Sequence, residues 1–282
     1  MMYFDAHNHF QDDWLDPHRE RLLEELPRVG IEGMVMNGTC EADWAKVAAI
    51  ATFAPWIMPS FGLHPWDCGN RGPDWERHLL EALTSTPRAA VGEIGIDRWI
   101  LERARPDDPR LAGLRRAPLD EQLEVFTRQL ALARRLDRPA SVHCLDAWGP
   151  MLDCLRNTPL PSRGFLLHAY GGSAELIAAF ADLGAYFSFN GSFLEERRTR
   201  NRDAFRHVPP DRLLVETDAP AMPLPPAWTR FSLPPTPSGD AVNHPGNLIG
   251  AYEGLAHLRS LPIEALADVC AHNYRRLFLG DA

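Results

Sequence analysis

Leu119–His143 reads LDEQLEVFTRQLALARRLDRPASVH. Its first part sets Leu123, Phe126, Leu130, Leu132 and Ala133 on one stripe, which predicts an amphipathic helix over Leu119–Leu136. Its last part, Ala140–His143, is a short apolar run that stops on a histidine. A second helical pattern, Ala147–Leu155, leads to another such run, Gly164–His168, again ending on histidine. Strand, helix, strand at this spacing is the unit of a parallel sheet.

The same alternation continues in both directions. Strand-like runs fall at Met2–Asp5, Gly33–Asn37, Ile57–Gly62, Ala89–Gly95, Ala185–Asn190 and Leu213–Thr217 as well. Most lack polar/apolar alternation, as strands covered on both faces do. Helical patterns lie between them at Glu20–Val29, Ala42–Phe53, Trp75–Leu83, Ser173–Leu183 and Glu195–His207. Two more, Gly246–His257 and Ile263–Leu277, close the chain. Eight strand–helix pairs in 282 residues predict an α/β protein, a single (β/α)8 TIM barrel over residues 1–282. A doubly wound sheet competes, but no G-x-G-x-x-G follows the first strand. Two connections, Arg98–Pro118 and Ala219–Asn243, are long and rich in proline and arginine, a length that is often functional.

With 45% hydrophobic and 24% charged residues, the composition excludes a collagen-like or mainly disordered protein. The formal charge of −9 disfavours a protein that coats nucleic acid. Cys40, Cys68, Cys144, Cys154 and Cys270 are too scattered for a disulfide framework and form no C-x-x-C pair for a thiolate zinc cage. Met1–Phe10 lacks the basic start and long apolar stretch of a signal peptide, so none is expected, and no apolar run is long enough to span a membrane; the expected compartment is the cytoplasm, with no obligate protein partner.

Polar residues cluster where strands end, which in a barrel is the active face. Asp5, His7 and His9 follow one another at period two and are expected to project to one side. Glu93 ends the fourth strand, His143 the fifth, His168 the sixth and Asp218 the eighth. One such residue alone would be an ordinary hydrogen-bonded core group. Together His7, His9, Glu93, His143, His168 and Asp218 offer four imidazoles and two carboxylates, enough for two divalent metal ions sharing Glu93 at the C-terminal ends of the strands.

The motifs D-x-H-x-H at 5–9, G-x-H-P at Gly62–Pro65, G-E-I-G-x-D at Gly92–Asp97, V-H at 142–143, F-N-G at 189–191 and E-T-D-A-P at Glu216–Pro220 resemble the TatD family of metal-dependent hydrolases. With E-Q-x-x-x-F at Glu121–Phe126 and N-x-x-R-L-F at Asn273–Phe278, the resemblance runs in order along almost the whole chain. It implies a TIM barrel with a two-metal site (zinc, manganese or magnesium) and a hydrolase of ester bonds, with deoxyribonucleases among its members. It also implies that His7, His9 and Asp218 hold one ion, that Glu93 bridges, and that His143 and His168 complete the second. Related barrels bridge their metals with a carbamylated lysine at strand four. Lys46, the only lysine, follows strand two, so Glu93 must serve instead. In such a site a metal-bridging water attacks the ester, Asp218 accepts its proton, and Asp5 steadies His7 or His9 through the free ring nitrogen.

Further candidates are less constrained. His64 in G-L-H-P and Glu216 are placed near the site, as substrate contact or ligand support. Asn243 and Asn247 open a helix, where asparagine caps are ordinary, and Cys144 should point into the core. The family usually carries an arginine two residues after the strand-five histidine; here that residue is Leu145. Arg197, Arg198, Arg200 and Arg202, after strand seven, are either candidate replacements for phosphate binding or a solvated helix face, and the arginines after strand four are further candidates to hold a phosphate. The expected substrate is therefore a small or single-stranded nucleic acid or a small phosphoester. Hydrolysis of amides or lactones is the alternative, and a non-catalytic binding module the third reading.

Overall fold

A computed structural model describes residues 1–280. Its strands are β1 (Tyr3–Asn8), β2 (Ile31–Asn37), β3 (Ile57–Phe61), β4 (Ala90–Asp97), β5 (Ala140–Leu145), β6 (Phe165–Leu167), β7 (Ala185–Asn190) and β8 (Leu213–Glu216). They pair in parallel and in chain order. The ring closes where Asp218 N donates to His7 O (3.0 Å) and His9 N to Ala219 O (2.8 Å). This is the TIM barrel expected from the alternating pattern. The helices are α1 (Arg19–Arg28), α2 (Trp44–Phe53), α3 (Trp75–Ser85), α4 (Trp99–Glu102), α5 (Leu119–Arg135), α6 (Trp148–Asn157), α7 (Ile177–Asp182), α8 (Thr199–His207), α9 (Leu248–Arg259) and α10 (Ile263–Tyr274). Among the described residues no helix is long and apolar enough to cross a membrane.

Both strand faces are buried, which is why the strands read as continuous apolar runs. One face supplies Met34, Met36, Ile57, Val91, Val142, Leu167 and Phe187 to a core shared with the surrounding helices, including Phe126 and Leu130 of α5. Burying each such side chain contributes about 1.5–3 kcal/mol. The other face places Phe4, Val35, Met58, Leu166, Tyr186 and Leu214 in a second cluster with Tyr274, Leu277 and Phe278 from the chain's end.

Three local readings change. The predicted helix Glu195–His207 begins only at Thr199, because Gly191–Leu194 forms a 3₁₀ turn whose Ser192 N–H is capped by Asn190 (2.9 Å). The Arg98–Pro118 connection is not structureless: it holds α4 and a short 3₁₀ turn at Pro109–Leu111. Asn247 does not cap α9 with its side chain but accepts from Arg230 N and Phe231 N (both 2.9 Å), tying the long loop after β8 to that helix.

Candidate metal centre

The strands that end at one face of the barrel bring His7, His9, Glu93, His143, His168 and Asp218 into one cluster, with His64 beside them. Glu93 is its centre. Glu93 Oε2 lies 3.3 Å from His7 Nε2 and 3.2 Å from His9 Nε2. Its other oxygen, Oε1, lies 2.8 Å from His143 Nδ1, 2.8 Å from His168 Nε2 and 3.3 Å from His64 Nε2. Asp218 Oδ1 joins the first set, 3.4 Å from His9 Nε2 and 3.7 Å from His7 Nε2. Three triads keep their donor atoms within 4.8 Å of one another: His7–His9–Asp218, His7–Glu93–His168 and His64–Glu93–His143.

These spacings fit a metal ion. Two donors on a tetrahedral ion with bonds of about 2.1 Å stand about 3.4 Å apart. The buried Nε2 of His7 has no hydrogen-bond partner, though it faces this cluster. The outward ring nitrogens of His9, His7 and His143 are held from behind, as ligating histidines usually are, whereas that of His168 has no hydrogen-bond partner. Asn37 O accepts from His9 Nδ1 (2.8 Å), His7 Nδ1 bonds Ser141 Oγ (2.8 Å), and His143 Nε2 bonds Asp97 Oδ2 (3.2 Å). His168 Nδ1 stands 3.7 Å from Glu216 Oε1. Glu216 is itself fixed by Asn190 Nδ2 (3.1 Å), Ala169 N (3.1 Å) and the Ser188 hydroxyl.

The electrostatics favour cations. Burial opposes charge on every ring, yet bonds to Asp218 and Glu93 hold His9 well above its ordinary pKa. At His143, Asp97 and Glu93 overcome burial and raise the pKa to about 9; at His168, Glu93 and Glu216 have the same effect. Burial prevails at His7 and His64, whose pKa values fall. Glu93 stays well below the usual carboxylate range, despite its burial, because His168, His64 and His7 surround it. Such a field collects positive charge, and a divalent ion binding there displaces protons.

Backbone geometry is unusual at the same place. Asp218 has φ 53° and Ala169, next to His168, has φ 41°, left-handed values that non-glycine residues adopt mainly where the surroundings enforce them. A methyl group on Gly95 would stand 1.9 Å from the His143 carbonyl oxygen, so the close approach of β4 to β5 requires glycine in G-E-I-G-I-D.

Over residues 4–279 the sequence matches the family of TatD related DNases. The chain belongs to the TatD family. YabD of Bacillus subtilis, an uncharacterized metal-dependent hydrolase, is 26% identical over 278 residues, covering 98% of this chain and 99% of YabD. The 3'-5' ssDNA/RNA exonuclease TatD of a Rahnella strain is 27% identical over 272 residues, covering 93% of each. The crystal structure of the TatD homologue YjjV from Escherichia coli superimposes with a TM-score of 0.83 at 27% identity, over 98% of both chains. This TatD chain is accordingly a metal-dependent hydrolase, and its clustered histidines and carboxylates supply metal-binding donors.

Two expected roles need correction in this TatD barrel. Asp5 does not steady an imidazole. The pairing of β1 with β2 shifts register between Asp5 and Asn8, so period two does not carry through to His7. The Asp5 carboxylate instead accepts from Thr217 N (3.0 Å), Thr217 Oγ1 (2.6 Å) and Asn8 Nδ2 (3.1 Å), which pins β8 just before Asp218. The arginines after β7 do not line the cavity over the cluster. Arg197 pairs with Glu195 (2.6 Å), Arg198 lies against the Phe193 ring, and Arg202 donates to the carbonyls of Phe193, Glu195 and Glu196. Cys144 points into the core, opposite His143, and Leu145 is partly exposed.

Asp97 had no role in the sequence reading, and Arg110 stood only among the arginines after strand four. Asp97, fully buried, bonds His143 and accepts from Trp66 Nε1 (2.7 Å) and Ile100 N (3.1 Å). Arg110, from the loop after β4, does reach the cavity, and its guanidinium lies over Trp99 (4.9 Å). That cavity, of about 820 Å³, opens directly onto His9, Glu93, His143, His168 and Asp218.

Proposed function

We propose that this protein hydrolyses phosphodiester bonds at the ends of short or single-stranded nucleic acids, or in small phosphoesters, using two divalent ions, with residues 1–282 acting as one barrel domain. The observation that carries the reading is the division of the donors by the two oxygens of Glu93. On one side stand His7, His9 and Asp218; on the other stand His143 and His168, with His64 as a further donor. A nitrogen-rich set with few carboxylates suits zinc or manganese better than magnesium. When bound, such a pair supplies Lewis acidity that activates water and braces the oxygens of an in-line displacement.

The chain's own groups then have separable tasks. Asp218 accepts the proton of the attacking water at its carboxylate, and His9 beside it (3.4 Å) keeps that carboxylate below the ordinary pKa despite its burial. Asp97 holds His143 from behind (3.2 Å), and Glu216 stands behind His168 without bonding it (3.7 Å). Arg110 is the cation placed to meet a phosphate oxygen, though Asp108 already engages it (2.6 Å). The relatives named as 3'-5' ssDNA/RNA exonucleases support a nucleic-acid substrate.

A second reading, hydrolysis of neutral amides or lactones, is favoured by one observation: the cavity wall carries Asp12, Asp13, Asp43 and Asp67 against only Lys46 and Arg110. Metal analysis followed by assays on a dinucleotide, a phosphomonoester, an amide and a lactone separates the two. Two ions per chain and turnover of the dinucleotide are expected, and Glu93→Gln should lower occupancy at both positions. Turnover of the amide or lactone alone would overturn the phosphodiester reading.

A further inference from the structure

Asp13–Leu15 is a single 3₁₀ turn that follows His9 closely, and it is braced far more heavily than a surface turn needs. Asp12 N donates to His9 O (2.9 Å), and the Asp12 side chain accepts from Trp14 N (2.8 Å). Arg19 donates to Phe10 O (2.9 Å) and Asp12 O (2.7 Å). Lys46 pairs with Asp16 (2.8 Å) and with Asp13, and Leu15 is buried completely. The one side chain this scaffold leaves free is Trp14, which is 43% exposed at the rim of the cavity. Its indole N–H has no partner among the described residues. Trp66, on another wall, differs: its N–H is committed to Asp97, and its ring stacks on Trp99 (6.0 Å, 21°).

An exposed indole on a rigid support, with its ring neither stacked nor bonded, is a preformed stacking surface. The carboxylates around it constrain the guest further. Lys46 is held by acids, and Asp12 and Asp13 line the same cavity beside Asp43 and Asp67, whose burial raises their pKa values, so the wall offers a run of several phosphates little free positive charge, whereas a flat uncharged ring needs none. We propose that Trp14 is a substrate-binding residue that stacks the nucleobase next to the scissile phosphate, and that this contact, alongside Arg110, supplies the enzyme's grip on the substrate outside the metal cluster. The proposal rests on the phosphoester reading above and deepens it.

The test compares a dinucleotide with its abasic counterpart, using the metal-loaded wild type, Trp14→Ala and Trp14→Phe. Trp14→Ala should raise KM for the dinucleotide at least about 5-fold with kcat little changed, the low end for loss of one base–aromatic stack. The abasic substrate should be unaffected, and Trp14→Phe should recover most of the loss. Binding of a nucleoside monophosphate, followed by calorimetry, should weaken in parallel in Trp14→Ala. Equal responses of the two substrates, or monophosphate binding that is indifferent to Trp14, would overturn the proposal. If the wild type cleaves neither substrate, the phosphodiester reading fails by itself, and the calorimetric comparison still decides whether Trp14 stacks a base.

Discussion

Replacing Asp97 by asparagine tests how the site would hold the second of the two ions proposed above. Asp97 is fully buried, and it touches His143 (3.2 Å) but none of the other clustered donors. Asp97 and Glu93 together lift His143 from 6.5 to about 9 against the effect of burial. At 1.36 kcal/mol per pH unit that rise amounts to about 3 kcal/mol in favour of positive charge at the ring. If Asp97 supplies half, its loss weakens the ring's hold on a cation by about 1–2 kcal/mol, or roughly tenfold or somewhat more in affinity. That lies within the 10- to 100-fold typical when a ligating histidine loses its supporting carboxylate. Calorimetric titration of the metal-free protein with zinc or manganese should therefore show two sites in the wild type. In Asp97→Asn one site should be weakened by about 10- to 100-fold and the other, at His7, His9 and Asp218, should stay within about threefold. Trp66→Phe removes a donor to Asp97 but spares the bond to His143, so it should have the smaller effect. Unchanged affinity at both sites, or equal weakening of both, would refute the reasoning.

Other outcomes follow from the same geometry. Asp218→Asn should lower turnover at least about 10²-fold while metal, measured by elemental analysis, is largely retained. Gln replacements of Arg197, Arg198, Arg200 and Arg202 together should leave KM for a dinucleotide unchanged, whereas Arg110→Gln should raise it several-fold; the low number of cations at the cavity also predicts a shallow salt dependence of binding. His244, whose Nδ1 accepts from Gly246 N (2.9 Å) beside the Phe231 ring, is pushed down by burial to about 4. Its contribution to stability is complete above pH 6.5 and is lost as the pH falls toward 4, by about 2–3 kcal/mol at pH 4.5. Urea denaturation of wild type and His244→Gln at pH 7 and 4.5 should show the wild type losing more stability on acidification.

The fold was legible because each strand is buried on both faces and each long helix on one, so composition alone marks the elements. The cluster was legible for a related reason: histidines and carboxylates at strand ends, such as His143 after Ala-Ser-Val, interrupt runs that are otherwise apolar. Period two from Glu93 passes through Gly95 to Asp97, and the same spacing runs back from His143 to Ser141. Both supporting residues therefore carried a signal that the sequence reading passed over. The role of Asp5 was not legible, since a register shift inside a six-residue strand leaves no mark in the residue types. Nor was that of Arg110, which reaches the cavity through a loop whose path depends on Trp66 and Trp99. The arginine run after β7 left two readings open in the sequence, a phosphate site and a solvated helix face. Charge density there reflects pairing with Glu195 and capping of carbonyls, which the sequence spells in the same letters as a phosphate site.

Taken together, the electrostatics of the cavity link metal binding to substrate choice. Glu93, Asp218, Asp97 and Glu216 build a field strong enough to hold His9, His143 and His168 charged against their burial. A field of that sign repels a phosphodiester until divalent ions occupy it. Arginine offsets the repulsion only in part, because Arg110 is shared with Asp108 and the β7 arginines lie elsewhere. On the phosphodiester reading proposed above, most of the attraction for phosphate would come from the ions, acting at the scissile group and not along a chain. On that reading, such a site would bind one phosphate well and further phosphates poorly. Selectivity beyond that single group falls to uncharged contacts, and Trp14 is the exposed aromatic surface at the rim that is free to make one.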